Sequence, residues 1–332
     1  MKSIVCFLLT IIGLLSFLMG SARAADPFAD NARPTSFKDV LLAKQRELLV
    51  DVGKYVEQHP DASDRDEAFA WGFDTSRKFG LEADALPLAE QCLRSKTSLP
   101  VLKTVAKQVL CLGLAKSGKF NDAVTAFQDS LQLVRFNGAG ESLDLAVELA
   151  AQAELAKEHT TAKGIYETMS NRLGLNPQVR EFCENRLKKL DLAGNPASEL
   201  ELTDLGGQPV SVSDAKGKVL LIDFWATNCP PCLAEFPKLK QLYADYHEQG
   251  FEVVGLTLDE SRDNVEAFQA RAQLPWRLVV EAEQVQQARE KYRVRTIPSL
   301  FLIGRDGHIA HVDLKGNDLR QAVERCLAQK LP

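Results

Sequence analysis

Ten residues, LDLAGNPASE from Leu190 to Glu199, divide two patterns of apolar spacing that do not fit one packing scheme. Before them, from about Ser36 to Leu190, apolar residues recur at helical intervals, Ala and Leu are abundant, and β-branched runs are few. After them, short apolar runs alternate with helical stretches. Gly, Asn and Pro in succession mark the divider, residues 191–199, as a linker. The spacing therefore predicts an all-α domain over residues 25–190 and an α/β domain over residues 200–332. A chain of 332 residues, 45% hydrophobic and 26% charged, is long enough and apolar enough for two such cores.

Within the second domain the elements can be read in order. LELTDLGGQPVSVSD, from Leu200, forms a hairpin, KGK a turn, and VLLIDFW a strand apolar on both faces, as in the centre of a covered sheet. Leu233, Phe236, Leu239, Tyr243 and Tyr246 then recur at helical spacing until Gly250. FEVVGLTL is a second buried strand, Asp263 to Gln273 a helix, Arg277 to Val280 a short strand, and Glu283 to Tyr292 another helix. SLFLI, the turn GRDGH and IAHVDL make a terminal hairpin, and Asn317 to Gln329 a closing helix. Alternation of this kind predicts an α/β sandwich with parallel strands at its centre.

The first residues form an export signal: Lys2, an uncharged apolar run, then Ala22-Arg23-Ala24, a small-residue cleavage site. Cleavage would remove residues 1–24 and start the mature chain near Ala25. The alternative is an uncleaved anchor, since about 20 uncharged residues separate Lys2 from Arg23; the intensely apolar core is about 16 residues, short for a span, which favours cleavage. Either way the expected location is periplasmic or otherwise extracytoplasmic. Loss of the leader would take two basic residues and no acid from a chain whose net charge is −5. That acidic balance argues against nucleic acid and anionic membrane surfaces as partners. Seven cysteines, one of them Cys6 in the leader, are too few for a disulfide-stapled scaffold.

LCLGLAKSGKFNDAVTAFQDSLQL, Leu110 to Leu133, resembles one tetratricopeptide unit, with Leu110, Gly118, Phe120, Ala123, Phe127 and Ser130 at that repeat's spacing. A weaker copy uses Leu149, Ala150, Ala162 and Tyr166, and a faint third uses Ala85, Ala89 and Cys92. Ala85, Ala123 and Ala162 are 38 and 39 residues apart, with FNGAGES as one insertion. The expectation is stacked helical hairpins, TPR-like, whose surface either binds a protein partner or is simply packed structure. Cys92 and Cys111 occupy small-residue positions on neighbouring helices, where a disulfide and a plain buried thiol are both open; burial is favoured.

The chemistry is concentrated in DFWATNCPPCLAEFPKL, Asp223 to Leu239. Cys229 and Cys232, i and i+3 across a strand-to-helix turn, are close enough to form and break a disulfide. With Cys229 at the N-cap, Pro230 at N1 and Cys232 at N3, a Cys229 thiolate faces the positive end of the helix and accepts the N3 amide, which lowers its pKa. Cys229 is then the nucleophile and Cys232 the resolving thiol. The two prolines offer no amide to the anion, so its stabilisation is modest, which favours a reducing role. Asp223, at the end of an apolar strand, gains a raised pKa on burial and is poised to take the Cys232 proton. Glu235, three residues past Cys232, either shuttles protons or complements the helix dipole. Pro237 removes a helix amide, and Trp225 borders the turn as packing or as a substrate contact.

FWATNCPPCLAEFP, the hairpin before it, Phe251 to Tyr292, and RTIPSLFLIGRDGHI together resemble the TlpA/ResA-like branch of the thioredoxin superfamily, over about Leu200 to Leu327. The resemblance implies a thioredoxin-like fold and extracytoplasmic thiol:disulfide oxidoreductase activity on protein substrates. It implies a cis-proline at Pro298, with the backbone of Ile297 pairing with the bound substrate chain. The family's active-site glutamate maps to Glu235 and the buried acid of thioredoxins to Asp223. Two departures stand out: Asn228 replaces an aromatic before the first cysteine, and Gly255 stands where thioredoxin has a lysine beside the buried acid.

A zinc site is disfavoured, because His308 and His311 point to opposite faces of a strand and Cys326 lies in the last helix. A thiol peroxidase is disfavoured by Ala226 and Ile222, which stand where peroxiredoxins carry threonine or serine and proline. No metal or cofactor is expected, and with no flavin or nicotinamide signature the reducing equivalents would come from a membrane electron relay. The rival reading is a helical-repeat scaffold whose thioredoxin-like domain mainly docks partners.

Overall fold

The computed structural model describes residues 36–97, 99–132 and 139–329. The expected leader, residues 1–24, lies outside them. The chain divides into two units, residues 1–45 and 46–332. The described part of the first opens helix α1 (Phe37–Gln58), where Ser36 and Asp39 cap each other: each side chain accepts the other's amide, at 3.1 and 3.0 Å.

In the second unit, seven further helices follow: α2 (Arg65–Phe79), α3 (Leu86–Arg94), α4 (Pro100–Lys116), α5 (Phe120–Leu131), α6 (Ala139–Leu155), α7 (His159–Leu173) and α8 (Pro177–Leu190). Small residues sit where helices cross, because only they let two backbones approach; Ala89, Cys92, Ala106, Cys111, Ala123 and Ala162 have no exposed surface. Ala123 and Ala162 each lie three residues into the second helix of a pair, and so does Ala89. Ala89, not Ala85, is therefore their equivalent, and the spacing becomes 34 and 39 residues. Ala139 to Ser142, read as insertion, instead open α6. Cys92 and Cys111 are buried free thiols.

The α/β region begins with a short hairpin, β1 (Glu201–Thr203) and β2 (Pro209–Ser211). The elements β3 (Val219–Trp225), α9 (Pro230–Tyr246), β4 (Phe251–Thr257), α10 (Arg262–Ala272), β5 (Arg277–Val279), α11 (Ala282–Lys291), β6 (Ser299–Ile303), β7 (Ile309–Val312) and α12 (Gly316–Ala328) follow. The sheet order is β5-β4-β3-β6-β7. β3, β4 and β5 are parallel, β6 runs antiparallel to β3 and β7 antiparallel to β6, so the sheet is mixed and β3 is central. All seven residues of β3 are buried, because both faces are covered. Val219, Leu221 and Trp225 pack with α9, α10 and α12. Leu220, Ile222 and Phe224 pack with α11 and the hairpin. This is the thioredoxin-like α/β fold, preceded by an all-α region.

Residues 191–199 do not dangle between the two regions. The Gly194 amide donates to Ile309 O (2.7 Å), the Ile309 amide to Asn195 O (2.9 Å) and the Ala197 amide to Gly307 O (2.9 Å), so the segment is bonded to the start of β7 and the turn before it. At the opposite edge Asp204 bridges Val279 and the Leu205 amide donates to Leu278 O (2.7 Å), covering β5. Among the described residues no helix is long and apolar enough to cross a membrane.

Candidate active site

β3 delivers the chain to the active-site turn, and α9 carries it away. Cys229 is the N-cap of α9, with extended backbone, and Pro230 and Pro231 form the first turn, where a missing amide leaves no helix bond unmade. Cys229 and Cys232 are joined as a disulfide, with Cα atoms 5.3 Å apart. The Cys232 amide donates to the Cys229 sulfur at 3.3 Å. Cys229 is 8% exposed and Cys232 2%. The inner sulfur's residue, Cys232, lines a cleft of about 490 Å³ together with Asp223, Glu235, Pro298, Gly316 and Arg320; Cys229 lies outside that lining.

Asp223 is 4% exposed. Burial raises its pKa to about 7; the positive charge of Lys315 opposes the rise and the negative charge of Glu235 adds to it. Gly255 is its register partner on β4, and a side chain there would meet Leu278 Cδ2 at 2.8 Å and Trp225 Nε1 at 3.0 Å. The space a lysine would need is thus filled by packing, and the cation that acts on Asp223 comes from the start of α12 instead. Glu235 is half-buried at the cleft, 3.4 Å from the Lys238 ammonium.

Ile297–Pro298 is a cis peptide, both residues half-buried, immediately before β6. The substrate-contact reading of Trp225 is corrected. Trp225 has no exposed surface, because its ring is enclosed by Phe236 at 5.0 Å and Phe268 at 5.2 Å. It supports the turn from beneath and touches nothing outside.

Three contributors were missed in the sequence. Asp259, in the loop after β4, accepts the Thr227 amide (2.8 Å) and the hydroxyls of Thr227 and Thr257, anchoring the approach to Cys229. The only local signal was an acid just past a buried strand. Lys315 has no motif of its own. The third is a buried charged group on α8: Lys189 bonds Asp313 and, at 3.0 Å, the Ser299 hydroxyl, while Arg186 also pairs with Asp313. Burial alone would raise the Asp313 pKa, but Lys189 and Arg186 hold it below the usual carboxylate range.

Residues 193–312 match the AhpC/TSA family. Over 139 residues the chain is 32% identical to thiol-disulfide oxidoreductase ResA of Geobacillus kaustophilus, covering 42% of this chain and 78% of that protein. The chain belongs to the ResA-like thiol-disulfide oxidoreductases. ResA of Halalkalibacterium halodurans is likewise 32% identical, over 152 residues, with 46% of this chain and 84% of that protein covered. Among solved structures, the thioredoxin domain of a thiol-disulfide oxidoreductase from Bacteroides vulgatus is 29% identical and covers 41% of this chain and 97% of its own, with a TM-score of 0.39. The ResA-like oxidoreductase therefore carries, besides the part it shares with these relatives, a long helical region that the matches do not span.

Proposed function

We propose that this ResA-like oxidoreductase is an extracytoplasmic protein disulfide reductase whose working pair is Cys229 and Cys232. The observation that carries the reading is the division between the two sulfurs. Cys229 caps a helix and is the more exposed; Cys232 is buried and opens on the cleft that holds Asp223 and Glu235.

In the reduced protein, the Cys229 thiolate attacks one sulfur of a substrate disulfide. The substrate S–S bond breaks, a mixed disulfide forms, and the first substrate thiolate leaves and takes a proton. Cys232 then gives its proton to the Asp223 carboxylate and attacks the Cys229 sulfur. The mixed disulfide breaks and the second substrate thiolate departs. Two electrons have passed to the substrate, and the protein holds the Cys229–Cys232 disulfide. A dithiol of a membrane electron relay would return the two electrons. With a pKa of about 7, Asp223 accepts a proton near neutrality at little cost in driving force. The Ile297–Pro298 segment beside the cleft would hold the substrate chain.

The prolines support the reducing direction. They leave the Cys232 amide as the hydrogen bond to Cys229, so the thiolate is stabilised less than in a helix start with free amides. Export, by the leader or with the leader as an anchor, fits a protein that meets disulfides at work. The test is insulin reduction with dithiothreitol by wild type and Cys229→Ser, with a redox titration of the wild type. The proposal expects activity only in the wild type and a potential well below about −120 mV, the value of a strong periplasmic oxidant. Equal rates in both proteins would favour the scaffold reading, and a potential near the oxidant's would reverse the direction.

A further inference from the structure

The last turn of α8 reaches into the thioredoxin-like region at the loop that carries the cis-proline. Lys189 is 4% exposed along its side chain, and its ammonium is shared between the Asp313 carboxylate and the Ser299 hydroxyl. The Ser299 hydroxyl in turn donates to Thr296 O at 2.7 Å. One hydroxyl thus spans the Ile297–Pro298 bond, tied to the residue before it and to a cation from the helical region.

Asp313 completes the arrangement. Its second oxygen accepts the Leu300 amide at 2.9 Å, and its own amide donates to Leu300 O at 2.7 Å. Leu300 is the register partner of Asp223 on β3, so this contact stands one strand away from the buried acid. At the other end of the loop, Arg293 donates to Lys188 O at 3.1 Å and pairs with Asp191 at 3.5 Å. The segment from Arg293 to Leu300 is therefore held at one end by Lys188 and Asp191 and at the other, by way of Ser299 and Asp313, by Lys189.

Burying an ammonium and a carboxylate costs more in desolvation than an apolar pair of the same size, so this group is poorly explained as a stabilising device. A hydrogen-bonded buried polar group can instead fix one arrangement where apolar packing would tolerate several. The arrangement fixed here is the course of the cis-proline loop.

We propose that Lys189, with Asp313 and Ser299, is a positioning element through which the helical region sets the substrate-binding conformation of the Ile297–Pro298 loop. The proposal rests on the reductase reading in that it takes this loop as the surface that receives the substrate chain. Among the described residues, Cys229 shares no hydrogen bond with Lys189, Asp313 or Ser299, so its reactivity toward small reagents is expected to be independent of the group.

The experiment uses the full chain with Lys189→Met, which removes the ammonium from Ser299 and leaves Arg186 on Asp313, and Ser299→Ala, which removes the hydroxyl and leaves the Lys189–Asp313 pair. Insulin reduction is resolved into kcat and KM, Cys229 alkylation by iodoacetamide is timed after reduction, and amide exchange is followed over residues 293–300. Both variants are expected to raise KM about tenfold, equivalent to about 1.4 kcal/mol, with kcat and alkylation rate within about twofold and faster exchange confined to the loop. Unchanged KM and exchange in Ser299→Ala would overturn the proposal even if Lys189→Met failed to fold. A fall in kcat and alkylation rate together, with KM unchanged, would also overturn it, because the damage would then lie at the cysteines. A wild type without activity on insulin would refute the reductase reading instead, and loop exchange in the two variants would still decide whether the helix holds the loop.

Discussion

Asp223 on β3 and Cys232 on α9 open onto one cleft of about 490 Å³, a volume with room for water between the carboxylate and the inner sulfur. A water in that cleft is the route by which a proton would pass between them.

Replacing Asp223 by Asn removes the proton acceptor and should slow the step in which Cys232 displaces the substrate, by about 10²-fold. In the wild type that step should quicken as the pH rises through about 7, where the carboxylate forms. Single-turnover release of the second substrate thiol, followed against pH, checks both; a variant with the wild-type profile would exclude Asp223 as the base.

The same residue makes the fold sensitive to pH. Its pKa is raised from 3.8 to about 7 in the folded chain, so the fold favours the neutral acid. Stability from this group is full below about pH 4 and is lost as the pH climbs to about 7, by up to about 4 kcal/mol. Asp223→Asn with the disulfide intact should therefore gain stability over wild type at pH 8 and show little or no gain at pH 4. Denaturant melts at the two pH values make the comparison, and an equal difference at both would mean that folding does not raise the Asp223 pKa.

Asp259→Ala leaves the Thr227 amide and two hydroxyls without their acceptor. A cost of about 1–3 kcal/mol follows from unsatisfied donors in a half-buried site. Urea unfolding measures it, and a loss below about 0.5 kcal/mol would show that the turn holds its shape without the loop after β4.

Burial raises the thiols of Cys92, Cys183 and Cys326 to about 11 and that of Cys111 to about 12. Almost no thiolate exists on them at pH 8. After reduction of the native protein, mass spectrometry of iodoacetamide adducts should find Cys229 labelled first and these four unlabelled on the same timescale. Early modification at any of the four would mean that the helical or closing-helix packing opens.

Residues close in sequence were the legible part of this molecule. The apolar run of β3 and the cysteines after it lie on consecutive elements, so spacing alone puts Cys229 at a helix start and Asp223 inside the sheet. The periods of the helices and of β3, β4 and β6 were legible for the same reason. Lys189 and Asp313 are 124 residues apart, and Thr227 and Asp259 are 32 apart. Nothing in either local pattern distinguishes such a pair from a solvated charge. Of the two readings of Trp225, packing holds and substrate contact does not, because adjacency to the turn along the chain says nothing about which side of the sheet a ring occupies. The segment around Pro196 looked like a free connection because Gly, Asn and Pro mark irregular backbone, and irregular backbone can still be hydrogen-bonded to a strand edge.

Both rims of the five-stranded sheet are partly shielded by chain that belongs to no strand: residues 194–197 at the start of β7, and Asp204 with Leu205 along β5. Exposed rims invite self-association through unpaired main-chain groups. A fragment cut at residue 200, the natural choice for isolating the redox half, would keep one shield and lose the other. Dissecting this protein at that point creates an adhesive margin that the intact chain does not have.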